Sequence, residues 1–302
     1  MTSSLSRWAC AGAKVIGRSH ERNDGRCEDR WSRRRRSCGG MYGEVVAACV
    51  CDGAGSVPFG DVGASVVSST LTKWLVRNFL FAHSASTDDI KARLMPELLS
   101  KLGRVASGKK SALRNFATTI VAVAVGEGGS GVAIHLGDGG ILGRFGSDLR
   151  PICTPMKGEF ANETYFVSDR DAADRMRILR WGKGGVSNGA SEFETANGFL
   201  LFSDGLETSL LHRTTQEVAP AAATMLTWLN KFPEVEVEAA IGRCLNDVFR
   251  LRTMDDCTLV LMSHISGSTN PYPEPRSTLL PQATADEARM ELEPPADLGW
   301  FQ

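Results

Sequence analysis

Residues 44–56 read EVVAACVCDGAGS, and this stretch decides the fold. The run 44–51 is dense in Val and Ala, which predicts a buried strand, and Asp52-Gly53 closes it abruptly with a turn. Cys49 and Cys51 are two apart on that strand and share a face beside Asp52, a setting that favours packing over redox chemistry.

The same pattern repeats on both sides. Residues 8–16 (WACAGAKVI) predict a first strand, followed by a polar loop from Gly17 to Gly40 that carries Arg33 to Arg36 in a row. From Asp61 to about Phe81 apolar residues recur at near-helical spacing, and Asp88-Asp89 can open a second helix through Leu94, Leu98 and Leu102. Strands are predicted at Ala117–Val125, Gly131–Leu136 and Gly140–Phe145. Residues 147–198 read as irregular, with strands near Thr164–Val167 and Arg175–Trp181. Phe199–Phe202 is a buried strand ending at Ser203-Asp204-Gly205; helices near Thr215–Asn230 and Val235–Leu251 precede a last strand, Thr258–Ser263. This order predicts an α+β architecture in which helices cover antiparallel sheets.

Composition bounds the function. The 302 residues can bury a core without disulfides, and 34 Lys plus Arg against 35 Asp plus Glu leave no global field for nucleic acid or an acidic membrane surface. No apolar run approaches the ~20 residues of a membrane span, and Met1–Cys10 lacks a secretory signal. None of the 8 cysteines forms a C-x-x-C pair, which argues against zinc and for reduced, cytoplasmic thiols. The expected domain is 1–265; from Ser266 to Gln302 Pro, Ser, Thr and Glu accumulate, predicting a disordered tail.

Acidic residues gather where strands end: Glu28-Asp29, Asp52-Gly53, Asp138, Asp204-Gly205 and Asp255-Asp256. Taken singly, each Asp-Gly is an ordinary turn. Taken jointly they suggest carboxylates held at fixed separations, which repel unless cations lie between them. Hard oxygen ligands without Cys or His favour magnesium or manganese over zinc, and two such ions ~4 Å apart can activate water and clamp a phosphoryl group.

In this order the residues resemble the type 2C, metal-dependent protein serine/threonine phosphatases, in particular a bacterial branch. The resemblance rests on six short motifs between about residues 13 and 264: Ser19-His20 with Cys27-Glu28-Asp29; Asp52-Gly53-Ala54-Gly55-Ser56 with Gly63-Ala64; Ala117-Thr118-Thr119 with Gly137-Asp138; residues 158–164 (GEFANET); Ser203-Asp204-Gly205; and Asp255-Asp256-Cys257-Thr258. It implies a two-sheet antiparallel β-sandwich flanked by helix pairs, with residues 147–198 as a flap-like insertion beside the active site. It also implies two, or three, Mn2+ or Mg2+ ions and hydrolysis of phosphoserine and phosphothreonine by a metal-bridged hydroxide. The partner would be a phosphorylated protein, such as a serine/threonine kinase or its target, in a signalling role.

The resemblance assigns roles residue by residue. Asp52 matches the aspartate bridging both metals, and the Gly53 carbonyl a backbone ligand. Glu28 matches a ligand of one metal and Asp29 an outer acid holding a coordinated water. Asp204 and Asp255 match ligands of the other metal, and Asp138 an acid that, with Asp204, holds a third. Two positions depart from the pattern. Ala54 stands where many members carry His, and Asp24 where they carry the phosphate-binding Arg; His20, Arg22 or Arg26 could replace that Arg, with Arg22 slightly favoured. These departures leave two other readings open: a phosphoprotein-binding pseudophosphatase, and a hydrolase of small phosphate esters. The Arg33–Arg36 run reads as a solvated loop and Gly126–Gly131 as a hairpin turn, because no Lys-Ser/Thr follows it.

Overall fold

The computed structural model describes residues 7–23, 25–156, 164–182, 195–212 and 214–265. Along the chain run β1 (Arg7–Val15), α1 (Arg18–Arg22), β2 (Arg30–Ser37), β3 (Glu44–Cys51), α2 (Gly60–Arg77), α3 (Phe79–Ser84) and α4 (Thr87–Gly108). Then come β4 (Ile120–Gly126), β5 (Gly131–Leu136), β6 (Gly140–Phe145), β7 (Asp148–Cys153), α5 (Ala172–Arg175), β8 (Arg177–Trp181) and β9 (Gly198–Phe202). The remainder is α6 (Glu207–Leu210), α7 (Pro220–Lys231), α8 (Glu234–Asp247) and β10 (Cys257–Ile265).

The strands form two antiparallel five-stranded sheets, ordered β1-β10-β9-β6-β7 and β2-β3-β4-β5-β8. β3 shows why they stack. Its side chains alternate: Val46, Ala48 and Val50 face the second sheet, together with Trp8, Phe199 and Val260. Val45, Ala47, Cys49 and Cys51 instead face α2 and α4, together with Leu71, Trp74 and Leu98. Both faces are buried, so the strand reads as a continuous apolar run instead of an alternating one. The other sheet repeats the arrangement, with Leu200, Phe202 and Leu259 against Leu226 and Trp228 of α7 and Ile241 of α8. The result is a β-sandwich with a helix layer on each outer face, as expected.

Several local expectations need correction. The stretch 17–40 is not all loop, because α1 and β2 occupy it. The arginine run lies on β2, where strand alternation leaves Arg34 and Arg36 exposed and Arg33 and Arg35 half-buried. Arg35 Nη1 donates to the Trp8 carbonyl at 2.6 Å, Arg33 donates to that of Cys10, and both arginines pair with Glu234 at the start of α8. Long charged side chains thereby close the gap between two edge strands, a standard protection of exposed sheet edges.

The predicted helix 61–81 is two helices, broken at Asn78, and the one expected to reach Leu251 ends at Asp247. Within 147–198, Asp148–Cys153 and Arg177–Trp181 are edge strands. Pro151 disguises the first, although an edge strand tolerates a missing donor. Thr164–Val167 is not a strand: Val167 N–H bonds the Thr118 carbonyl at 2.9 Å and Phe166 N–H the Asp169 carboxylate at 2.7 Å. All eight cysteines are free, and the Sγ atoms of Cys49 and Cys51 are in 3.5 Å contact. Asp24, residues 158–163 and the tail 266–302 lie outside the described residues.

Candidate metal centre

Antiparallel pairing carries the acids to one end of the sandwich. The end of β3 lies beside the start of β2 (Arg30 opposite Cys51), and the end of β5 beside the start of β4 (Ile120 opposite Leu136). In the other sheet the end of β9 lies beside the starts of β6 and β10, with Phe202 opposite Gly140 and Leu259. Glu28-Asp29 precedes β2, Asp52 follows β3, Asp138 follows β5, Asp204 follows β9 and Asp255 precedes β10. Five chain segments from both sheets therefore deliver carboxylates to the same place.

Asp52, Asp138 and Asp204 each offer a carboxylate oxygen within 4.8 Å of the others. Asp52, Asp138 and Asp255 line a cleft of about 270 Å³, together with Gly53, Ala54 and Thr119. Ser19 and His20 of α1 form another wall. Gly53 is required here: a Cβ on it would sit 2.3 Å from the Gly60 backbone carbon, so the turn can only close on α2 without a side chain. Glu28 does not line the cleft directly, but its carboxylate lies 3.7 Å from where a Cβ on Gly55 would sit. Arg22 turns away, onto a separate pocket with Arg18 and Arg250.

Asp52 is clamped by its backbone. Its N–H donates to Thr119 Oγ1 at 3.0 Å, while its carbonyl accepts from the Thr118 hydroxyl at 2.8 Å and the Thr119 N–H at 2.9 Å. Asp29, fully buried behind Asp52, accepts the Ser203 hydroxyl at 2.7 Å. Asp138 accepts the Thr164 hydroxyl. Arg30 bonds Asp61 at 3.0 Å and ties the start of β2 to the start of α2.

The doublet Asp255-Asp256 splits its tasks. Asp255 lines the cleft, whereas Asp256 is buried and accepts the N–H of Gly17 at 2.6 Å and of Glu28 at 2.5 Å. Gly17 itself must be glycine, since a Cβ would fall 2.3 Å from the Asp255 carbonyl carbon. His20 Nδ1 lies 3.1 Å from Asp256 Oδ1. Thr118, Thr119, Ser203 and Asp256 were given no individual role by the sequence. The signals present were the Thr-Thr pair opening β4 and the doublet opening β10.

The electrostatics of this cluster are costly for protein alone. Burial, then the charges of Asp29, Asp204, Asp138 and Asp255, hold the Asp52 carboxyl well above the usual carboxylate range. Burial, then Asp138 and Asp255, does the same to Asp204. Burial pushes Asp29 up to about 6 despite the Ser203 hydroxyl, and it raises Glu28 and Asp138 as well. Among the described residues, Glu28 Oε2, Asp29 Oδ1, Asp138 Oδ1 and Asp204 Oδ1 are buried without a hydrogen-bond partner. Buried carboxylate oxygens without donors are expensive unless a cation satisfies them, so the donor set fits hard divalent metal ions.

Comparison with known proteins bears on the same arrangement. The sequence model of the family described as "Protein phosphatase 2C" matches residues 16–246. Serine/threonine-protein phosphatase 3 of Escherichia coli (strain K12) is 26% identical over 263 residues, covering 84% of this chain and 97% of that protein. Among solved structures, the catalytic domain of the serine/threonine protein phosphatase PstP, crystallised with 2 manganese ions, is 16% identical with a TM-score of 0.51 over 86% of this chain and 100% of that one. A serine/threonine phosphatase of S. agalactiae is 15% identical with a TM-score of 0.53, over 85% of this chain and 99% of that one. At such identities the two structures speak for the fold alone.

Proposed function

The chain belongs to the protein phosphatase 2C family, and on that premise we propose that it hydrolyses phosphoserine and phosphothreonine in proteins, using divalent cations held by the acidic cleft. The observation that carries this is the convergence of Asp52, Asp138 and Asp204 within 4.8 Å, with buried oxygens of Asp138 and Asp204 that have no hydrogen-bond partner among the described residues. Asp52, the Gly53 carbonyl and Glu28 would hold one ion; Asp52, Asp204 and Asp255 the other; Asp138 with Asp204 a third. Manganese and magnesium suit oxygen donors equally well. When bound, such ions make water more acidic and neutralise charge on a phosphoryl group.

The protein's own residues then position and balance charge. Asp29 braces the cluster from behind through Ser203, and the Thr118-Thr119 clamp fixes the backbone of Asp52. His20 is the one cationic side chain among the described residues that line the cleft. Burial works to lower its pKa, but Asp256, Glu28 and Asp255 outweigh that and raise it. We therefore give His20, and not Arg22, the contact to the scissile phosphate. Ala54 lines the cleft without a proton to give, so His20 is also the side chain placed to protonate the leaving alkoxide.

The test is turnover of a phosphothreonine peptide by pure protein, with manganese and with a chelator. Manganese-dependent release of phosphate is expected. Absence of release at every metal level would favour a phosphoprotein-binding role, and release from para-nitrophenyl phosphate alone would favour a small-ester hydrolase.

A further inference from the structure

Beside the acidic cleft lies a second pocket of about 290 Å³, walled by Arg18, Glu21, Arg22, Arg250 and Leu251. The helix α1 is the partition: Ser19 and His20 face the cleft, while Arg18, Glu21 and Arg22 face the pocket. A helix with its side chains is only ~10 Å across, so the two cavities on its opposite faces are near neighbours.

Their chemistry is opposite. Carboxylates dominate the cleft, whereas three guanidinium groups face one carboxylate in the pocket. That carboxylate, Glu21, is exposed and already engaged by Arg250, and Arg250 Nε is buried without a partner among the described residues. The pocket is also built to last. Arg18 Nε donates to the Thr253 carbonyl at 3.0 Å, and the N–H and hydroxyl of Ser19 bond the Met254 carbonyl at 2.9 and 2.7 Å. These bonds fasten α1 to the segment that carries Arg250 and Leu251. Leu251 on the pocket wall and Met254, whose carbonyl anchors Ser19, are 62% and 42% exposed, two of the four large hydrophobic side chains left open among the described residues.

We propose that this pocket docks an anionic side chain of the phosphoprotein substrate, a carboxylate or a second phosphate, next to the phosphorylated residue in the cleft. The inference rests on the phosphatase reading above. An extended peptide advances ~3.3 Å per residue, so the docked anion belongs about two to four residues from the phosphothreonine. Arg18, Arg22 and Arg250 supply charge and hydrogen bonds. Leu251 covers the aliphatic part of the docked side chain.

The experiment uses the full chain with manganese and a series of phosphothreonine peptides. One arm places Asp at one to six residues from the phosphothreonine, a second places phosphoserine there, and a third is neutral; para-nitrophenyl phosphate is the control. Relative to the neutral peptide, kcat/KM should rise about tenfold for an anion two to four residues away, and the gain should shrink at high salt. Which anionic arm gains more identifies the source of the charge. In Leu251→Glu and Arg250→Gln the gain should fall to about onefold, with para-nitrophenyl phosphate turnover unchanged. Equal rates for all peptides, or a gain that survives both substitutions, overturns the proposal. A readout without turnover separates it from the phosphatase reading. Adding the unphosphorylated acidic peptide to magnesium-loaded protein should shift the amide resonances of Ser19, Glu21 and Leu251, and no shift there overturns the docking pocket. No turnover of any ester by wild type would instead count against the phosphatase reading.

Discussion

The carboxylate of Asp256 accepts the backbone N–H of Glu28 at 2.5 Å, across 228 residues of chain. The same carboxylate holds Gly17 N–H and stands beside His20, so one buried acid fixes the segment that brings His20 to the cleft and Glu28 close beside it. Its neighbour Asp255 faces the cleft instead. Asp256→Ala should therefore cost about 2–4 kcal/mol of stability, because buried donors lose a charged acceptor, and weaken metal binding indirectly. Asp255→Asn should weaken metal binding with little loss of stability. Thermal melts of the metal-free proteins and calorimetric manganese titrations check the pair; equal destabilisation by both would contradict the division.

The Thr119 hydroxyl holds Asp52 N–H at 3.0 Å in the turn that sets the central carboxylate. Thr119→Val keeps the shape and removes the acceptor, at a cost of about 1–2 kcal/mol. Metal affinity and peptide turnover should both fall, and Thr119→Ser should restore them. A valine variant with wild-type affinity would show that the clamp is not needed.

Glu234 receives Arg33 and Arg35 from β2 and the Cys10 N–H from β1. Glu234→Ala should lower stability by roughly 1–2 kcal/mol, since Arg33 keeps Glu238 and Arg35 keeps Glu44 but each loses one partner, and leave phosphopeptide turnover intact. Denaturant unfolding beside a kinetic assay tests this.

Acidity and metal are linked through the raised carboxyls. The folded protein holds Asp29 up to about 6 against an ordinary 3.8, and Asp52 and Asp204 well above it. Metal-free protein thus binds more protons folded than unfolded over that window. The contribution of these groups is fully present below 3.8 and is lost as pH rises through the folded values. Metal-free protein should accordingly melt higher at pH 5 than at pH 7, and saturating manganese should reverse the order. A melting temperature that rises from pH 5 to pH 7 without metal would contradict the buried cluster.

Much of this was legible in the sequence because burial on both faces leaves a continuous apolar run, and EVVAACVC is one. The acids at strand ends were equally visible, since Asp-Gly follows the runs of β3, β5 and β9 closely and acidic doublets precede β2 and β10. What escaped depends on distant partners. The β2 arginines look like a loop until Glu234 and the edge of β1 stand opposite them. Asp148–Cys153 is hidden by Pro151, and Thr164–Val167 has strand-like residues but spends its N–H groups on Thr118 and Asp169. Apart from the family motif, no local signal distinguishes Asp255 from Asp256; the difference lies in which faces Gly17 and which faces the cleft.

The most direct measurement is anomalous diffraction from crystals of the protein soaked in manganese. The expected result is two anomalous peaks ~4 Å apart, both within coordination distance of the Asp52 carboxylate. Saturating manganese with no peak beside Asp52, or peaks only elsewhere on the molecule, would contradict the account.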